Sequence, residues 1–238
     1  MVSVNSDGLL KLFLQRMPSP IVIAIDGPSA SGKSTNAKLV AKALDFVYVD
    51  TGAMYRTLAW YCLTKKVDVH DAKAVVALTR KWKTKLVCKD KKVQLLVDNV
   101  YPAKEIRTAE TSAAVPHVAA IPKVRQWMKK VQRDCIQFGN LVMEGRDIGT
   151  HIFPETELKF WLDAALDERA KRRAAEGVHE NLAARDQRDS QRAAAPLMPA
   201  LGAIRINNSN LTPEESAGRI IEEIKRRLEK REQTRSNR

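Results

Sequence analysis

Hydrophobic and polar positions fall into two rhythms along this chain. The apolar run over residues 21–25 stops at Asp26-Gly27-Pro28, which predicts a buried strand entering a loop. From residue 34 to 44 the apolar positions Ala37, Val40, Ala41 and Leu44 keep helical spacing. A second short strand is predicted over 46–49, followed by Asp50-Thr51-Gly52 and a helix over 53–63. Strand, glycine loop, helix, strand is the opening of a parallel α/β domain.

The middle of the chain has a different texture. Short strands are predicted over 85–88 and 93–97, around a Lys89-Asp90-Lys91-Lys92 turn, as a hairpin within a mixed insert. Helical spacing returns over 118–138, strands are expected over 141–143 and 158–162, and a last strand over 203–206. Residues 169–192 are crowded with charge and poor in large apolar side chains, which suits a mobile helical flap. Thr212-Pro213-Glu214-Glu215 predicts the start of a final helix, with an N-cap, Pro at the first position and acids in the first turn.

Composition narrows the class. The chain has 238 residues, 44% hydrophobic and 29% charged, enough to bury a core in one or two domains. No apolar run approaches the roughly 20 residues that span a bilayer. Three widely spaced cysteines (Cys62, Cys88, Cys135) and four histidines (His70, His117, His151, His179) show neither disulfide nor metal-site spacing. A reduced, cytoplasmic protein is expected. The formal charge of +13 admits nucleic acid, smaller polyanions or simple solubility as its reason, and part of it crowds the last helix and tail, where cations suit the helix C-terminus.

Gly27-Pro28-Ser29-Ala30-Ser31-Gly32-Lys33-Ser34 satisfies G-x-x-x-x-G-K-[ST] between an apolar strand and an amphipathic helix. Such a loop wraps phosphates with inward-facing amides while the helix aims its positive end at the same point. Lys33 is expected to reach the β/γ-phosphates and Ser34 to ligate Mg²⁺. The chain therefore reads as a binder of nucleoside triphosphates. No N-K-x-D base-reading motif of a GTPase occurs, and the many arginines point to a small kinase with a second anion site.

Asp50-Thr51-Gly52-Ala53-Met54-Tyr55-Arg56, Glu105-Ile106-Arg107-Thr108, Glu144-Gly145-Arg146-Asp147-Ile148-Gly149-Thr150, Arg185-Asp186-Gln187-Arg188-Asp189-Ser190 and Ala195-Pro196-Leu197 follow the phosphate loop in order. Together they resemble the bacterial cytidylate (CMP) kinase family over about residues 20–225. The resemblance implies an α/β fold: a P-loop parallel sheet flanked by helices, with a mixed α/β acceptor-binding insert and a short helical lid. It divides the chain into an N-terminal extension (1–20), a P-loop core (21–69, 118–168 and 193–228), an NMP-binding insert (70–117), a lid (169–192) and a basic tail (229–238). It implies transfer of a phosphoryl group from Mg²⁺-bound ATP to CMP or dCMP by direct in-line attack, in a monomer with no nucleic-acid or membrane partner. A kinase acting on UMP or another phosphate acceptor is the alternative within the class, and a nucleic-acid-binding P-loop protein the alternative outside it.

The implied roles follow the matching residues. Gly27, Pro28, Ser29, Ala30, Ser31, Gly32, Lys33, Ser34 and Thr35 would hold ATP. Arg56 and Arg146 would grip the α-phosphate of CMP; Thr51, Arg125, Asp147 and Arg192 would read cytosine; Arg185 and Asp189 would contact the sugar. Lys33, Arg146 and Arg188 would stabilise the moving phosphoryl group. From the residues alone, Arg146 and Asp147 can also pair with each other at a strand end, and Arg185 to Arg192 can form an exposed helix laced by i,i+4 pairs. The chain departs from the family pattern in a short run (174–184) between Arg173 and Arg185. It departs again at Pro116, where a sugar-contacting serine is usual, and at Gly202 and Asn207, where aspartates are common.

Overall fold

A computed structural model describes residues 19–175, 177, 181–192 and 194–236, with side chains as far as Lys230. Residues 1–18 of the extension, positions 176 and 178–180 of the lid, Ala193, and the side chains of Arg231, Arg235 and Arg238 in the tail lie outside the described residues. His179 lies outside them too.

The chain builds β1 (Val22–Asp26), α1 (Lys33–Leu44), β2 (Val47–Asp50) and α2 (Thr51–Thr64), then α3 (Ala72–Thr79) and the hairpin β3 (Thr84–Lys89) and β4 (Lys92–Val97). A 3₁₀ turn (Glu105–Arg107) leads to α4 (Ala109–Ala120), α5 (Pro122–Arg133) and β5 (Leu141–Gly145). A wide π turn (Ile148–Ile152) then precedes β6 (Leu158–Asp163), α6 (Leu166–Ala175), α7 (Leu182–Ser190), β7 (Ile204–Asn207) and α8 (Pro213–Ser236). The strands form one seven-stranded sheet in the order β3-β4-β2-β5-β1-β6-β7. Only the β3–β4 pairing is antiparallel.

Strand residues alternate between two cores, as the period-2 pleat requires. Val22, Ala24, Val47, Val49, Leu141 and Met143 face one core, built with α2, α4 and α5. Ile23, Ile25, Tyr48 and Val142 face the other, closed by Val40 and Leu44 of α1 and by Ile220, Ile224 and Leu228 of α8. A parallel sheet covered on both faces explains why β1, β2 and β5 are buried at every position.

Several elements depart from the sequence reading for local reasons. The helical spacing over 118–138 is two helices and a 3₁₀ turn, because Ile121 is extended (ψ 117) and Pro122 opens α5 at its first turn. Helix α3, unread in the sequence, is capped by Asp71, whose carboxylate accepts the Lys73 and Ala74 amides. The expected hairpin does not stand apart: β4 lies parallel to β2 and carries the sheet outward. Its turn places Asp90 and Lys91 at φ 49 and 57, a two-residue type I′ geometry built without glycine. The final helix starts as read. Thr212 Oγ accepts the Glu215 amide at 3.1 Å and Glu215 accepts the Thr212 amide at 2.8 Å, a complete capping box.

Candidate active site

The carboxyl ends of β2, β5 and β1 lie side by side and deliver Asp50-Thr51, Arg146-Asp147 and the phosphate loop to one cleft. In an open α/β sheet this is where ligands bind. The cleft holds a cavity of about 700 Å³ lined by ten Lys and Arg side chains against four carboxylates. A cleft so charged attracts anions.

In the phosphate loop, Gly27 has no room for a side chain: a Cβ there would sit 2.0 Å from the Leu162 carbonyl oxygen. Gly32, at φ +83, turns the loop into α1. The Lys33 ammonium is buried and donates to the Pro28 carbonyl at 2.5 Å. Burial, followed by the nearby Arg146 charge, pushes its pKa down to about 7. Arg169 of α6 donates to the Ser29 carbonyl at 3.1 Å and pairs with Asp186 of α7 at 2.5 Å; Asp186 in turn accepts the Ser29 amide at 3.3 Å. Asn208, just past β7, donates to the Ser31 carbonyl at 2.9 Å and accepts from Arg172 at 3.2 Å. Helices α6 and α7 thus reach the phosphate loop together.

Elsewhere in the cleft, charged groups gather in three sets. Asp50 caps α2 through the Ala53 amide at 2.8 Å and accepts both Arg56, at 3.0 Å, and Arg107, at 2.9 Å. Burial opposes its ionisation, but the two guanidiniums outweigh it and hold Asp50 below the usual carboxylate range. Arg125 and Asp147 form a short buried pair, and the Arg125 guanidinium lies 5.9 Å from the centre of the Tyr55 ring. The Arg125 Nε is buried without a partner. Arg146 pairs with Asp189 at 2.9 Å and donates to the Gly27 carbonyl at 2.9 Å, and Arg192 takes the other oxygen of Asp189. Arg146 and Asp147 therefore do not pair with each other: each reaches a partner on a different element.

Of the residues marked in the sequence, Ser29, Ala30, Gly32, Lys33, Ser34, Thr35, Thr51, Arg56, Arg125, Arg146, Asp147, Arg185, Asp189 and Arg192 all line the cavity. The Thr51 hydroxyl donates to the Glu144 carbonyl at 2.8 Å. Arg188 is not brought in. Its guanidinium lies on the exposed face of α7 and donates at 3.3 Å to the Ala184 carbonyl, one turn back along its own helix. Pro116 lies within α4 beside the cavity-lining Val115, and Asn207 closes an exposed turn by accepting the Ser209 amide and hydroxyl.

The sequence reading missed Arg107, Glu144, Arg172, Arg173 and Lys38, all of which line the cavity. Arg107 stood in a motif already noted, and its spacing from Asp50 gave no sign of their contact. Glu144 sits at the end of β5 beside Asp50 and accepts the Tyr48 hydroxyl at 2.9 Å.

The order of these elements matches a known pattern. The model of the cytidylate kinase family matches residues 23–226, nearly the whole described chain. This protein belongs to the cytidylate kinase family. The cytidylate kinase of Anoxybacillus flavithermus is 42% identical over 90% of this chain and all of its own length. That of Geobacillus thermodenitrificans is 41% identical over 89% of this chain and all of its own, and that of Bacillus pumilus 41% over 87% and 96%. Among the described residues no helix is long and apolar enough to cross a membrane.

The donor set also bears on Mg²⁺. Among the described residues no three or more His, Cys, Asp or Glu side chains gather as a metal cage. The exposed Ser34 hydroxyl lines the cavity, with the Asp50 and Glu144 carboxylates on its walls. Oxygen donors too few for a cage fit an ion that keeps its waters and shares the phosphates of a nucleotide, as Mg²⁺ does.

Proposed function

We propose that this chain transfers the γ-phosphoryl group of ATP to CMP or dCMP, forming ADP and CDP or dCDP. The observation that carries this reading is the placement of the buried Arg125–Asp147 pair in the same cavity as the phosphate loop, with Arg56 and Arg146 on its walls.

The loop amides of residues 27–33 and Lys33 hold the triphosphate, and Ser34 would hold Mg²⁺, which would supply positive charge to the phosphates when bound. Arg56, steadied by Asp50, and Arg146, steadied by Asp189, fix the α-phosphate of the acceptor. Asp147 accepts from the cytosine amino group, and Arg125 donates to its N3 or O2 edge. No general base is needed, because a phosphate oxygen of the acceptor is already an anionic nucleophile. Catalysis is then alignment and positive charge around the moving group, supplied by Lys33, Arg146, Arg185 and Arg192. With Arg188 on the outer face of α7, this reading gives the transferring group four cations rather than that one.

The same reading makes the protein a cytoplasmic monomer that acts on nucleotides and needs neither nucleic acid nor a membrane; three free cysteines agree with a reducing compartment. Steady-state kinetics with CMP, dCMP, UMP and AMP as acceptors, followed by ADP release, test it. CMP or dCMP is expected to give the highest kcat/KM, and equal or better turnover of UMP or AMP would overturn the assignment.

A further inference from the structure

Asp26 is the last residue of β1, and its carboxylate touches no part of the cavity. It is nevertheless buried to 3% exposure and fully engaged. One oxygen accepts the Ile148 amide at 2.9 Å and the other the Gly149 amide at 2.7 Å. Those amides open the π turn that follows Arg146-Asp147. The first amides of a helical turn have no acceptor within it. Asp26 therefore caps that turn from a neighbouring strand, where it stands opposite Gly145 in register.

The turn closes on Asp147 itself. The Asp147 carbonyl accepts the His151 amide at 2.8 Å and the Ile152 amide at 3.2 Å, and the Asp147 backbone (φ −148, ψ 25) belongs neither to the strand before it nor to the turn after it. The two amides immediately beyond it are the ones that Asp26 accepts. One residue past Asp26, the Gly27 carbonyl accepts from Arg146. The end of β1 and the start of the phosphate loop thus hold Arg146 on one side of Asp147 and the Ile148 and Gly149 amides on the other.

We propose that Asp26 is a positioning residue that registers Arg146 and Asp147, and with them the acceptor nucleotide, against the phosphate loop that carries the donor. This rests on the reading of Arg146 and Asp147 as acceptor ligands given above. Burying a carboxylate to make two backbone hydrogen bonds is costly, which is a reason to look for work beyond packing. Burial pushes the Asp26 carboxyl up to about 7, against the pull of the two amides; the charged groups facing it are Asp147, beyond β5, which adds to the rise, and Lys33 on α1, which opposes it. Protonation turns one acceptor oxygen into a hydroxyl donor, which cannot serve the amide it faces.

Asp26→Asn keeps the shape and presents a donor to one of the two amides. At pH 8 the variant is expected to raise KM for CMP on the order of tenfold, since small misplacements of reacting groups are expensive, while KM for ATP stays within about twofold and kcat for CMP falls less than KM rises. In the parent, KM for CMP should climb as pH falls through about 7 by more than protonation of the acceptor phosphate (second pKa about 6) accounts for; in Asp26→Asn only that phosphate's own contribution should remain. A melting temperature and circular dichroism spectrum near the parent's establish that the variant is folded. If the variant is unfolded, amide hydrogen exchange in the parent decides: Ile148 and Gly149 should lose protection selectively as pH falls through 7, and uniform protection would overturn the proposal. Equal losses for ATP and CMP, or an unchanged pH profile in the variant, would also overturn it. A parent enzyme that does not prefer CMP over UMP would instead sink the reading of Asp147 on which this one rests, a result separable from any behaviour of Asp26→Asn.

Discussion

Asp147→Asn keeps the side chain's size and exchanges a carboxylate for an amide that can face either pyrimidine. Cytosine offers an amino donor and an N3 acceptor where uracil offers a carbonyl and an N3 donor. Against cytosine the parent gains a charge-assisted bond; against uracil the same buried carboxylate meets an oxygen. Such a bond in a dry site is worth about 1.5–3 kcal/mol, so the CMP/UMP ratio of kcat/KM should narrow by about one to two orders of magnitude. Most of this should come from a fall for CMP, with UMP changing less. Asp147 is 6% exposed and Arg125 4%, so the substitution also leaves a buried guanidinium without its counter-charge. Full loss of a buried partner costs about 3–5 kcal/mol. Asn still accepts one hydrogen bond, so a loss of ~3 kcal/mol or less is expected, about 10 °C in Tm for a chain of this size. Kinetics at 25 °C with both acceptors, alongside thermal melts, separate the two effects. If kcat/KM falls equally for CMP and UMP, Asp147 serves the phosphates or the fold, and its assignment to cytosine is wrong.

Lys33→Met should lower turnover on the order of 10²–10³-fold with the fold intact, because it removes one charge aimed at the transferring group; turnover within tenfold of the parent would take the loop out of the mechanism. With Lys33 held near pKa 7, most of it is uncharged at pH 8 and bound phosphates recharge it, so calorimetry in buffers of differing ionisation enthalpy should show proton uptake with ATP, absent in Lys33→Met. Asp186→Asn removes a negative charge that stands on the Ser29 amide, so KM for ATP should fall severalfold; a rise would show that the carboxylate helps to bind ATP. Lys91→Gly should raise stability by about 0.5–1 kcal/mol in denaturant melts, since Asp-Gly suits a type I′ turn and Lys91 sits at φ 57; a loss would mean that its exposed pairing with Asp45 matters more than the backbone strain.

The local features of this protein were legible because they are written in contiguous residues. The phosphate loop, the strands on either side of α1 and the Thr212 cap each need only their own neighbours in sequence. What escaped is what depends on distance. Nothing in the spacing of Asp50 and Arg107 announces that 57 positions of chain fold back to bring them to 2.9 Å. Nor does it say that Arg146 would choose Asp189 over its neighbour Asp147. Arg188 shows the converse: it lies in a motif whose neighbours Arg185, Asp189 and Arg192 all face the cavity, but its exposed guanidinium runs back along the helix to the Ala184 carbonyl. Asp26 read as the residue that ends a strand, and only the parallel pairing of β1 with β5 gives its carboxylate two amides to hold.

Among the described residues the sheet ends in two open edges, and they are protected differently. The β7 edge is four residues long, with Arg205 and Asn207 exposed along it. The β3 edge is six residues long and would offer its unpaired backbone to another chain. Lys81, Lys83, Lys85 and Lys89 stand exposed along it or just before it. A second copy laid against that edge would bring like charges together within a strand spacing, and each lysine would lose hydration for no partner. Part of the +13 charge thus stands along the β3 edge, where it disfavours pairing with another strand. Replacing those lysines with β-branched residues would lower the charge and leave a strand edge that invites aggregation.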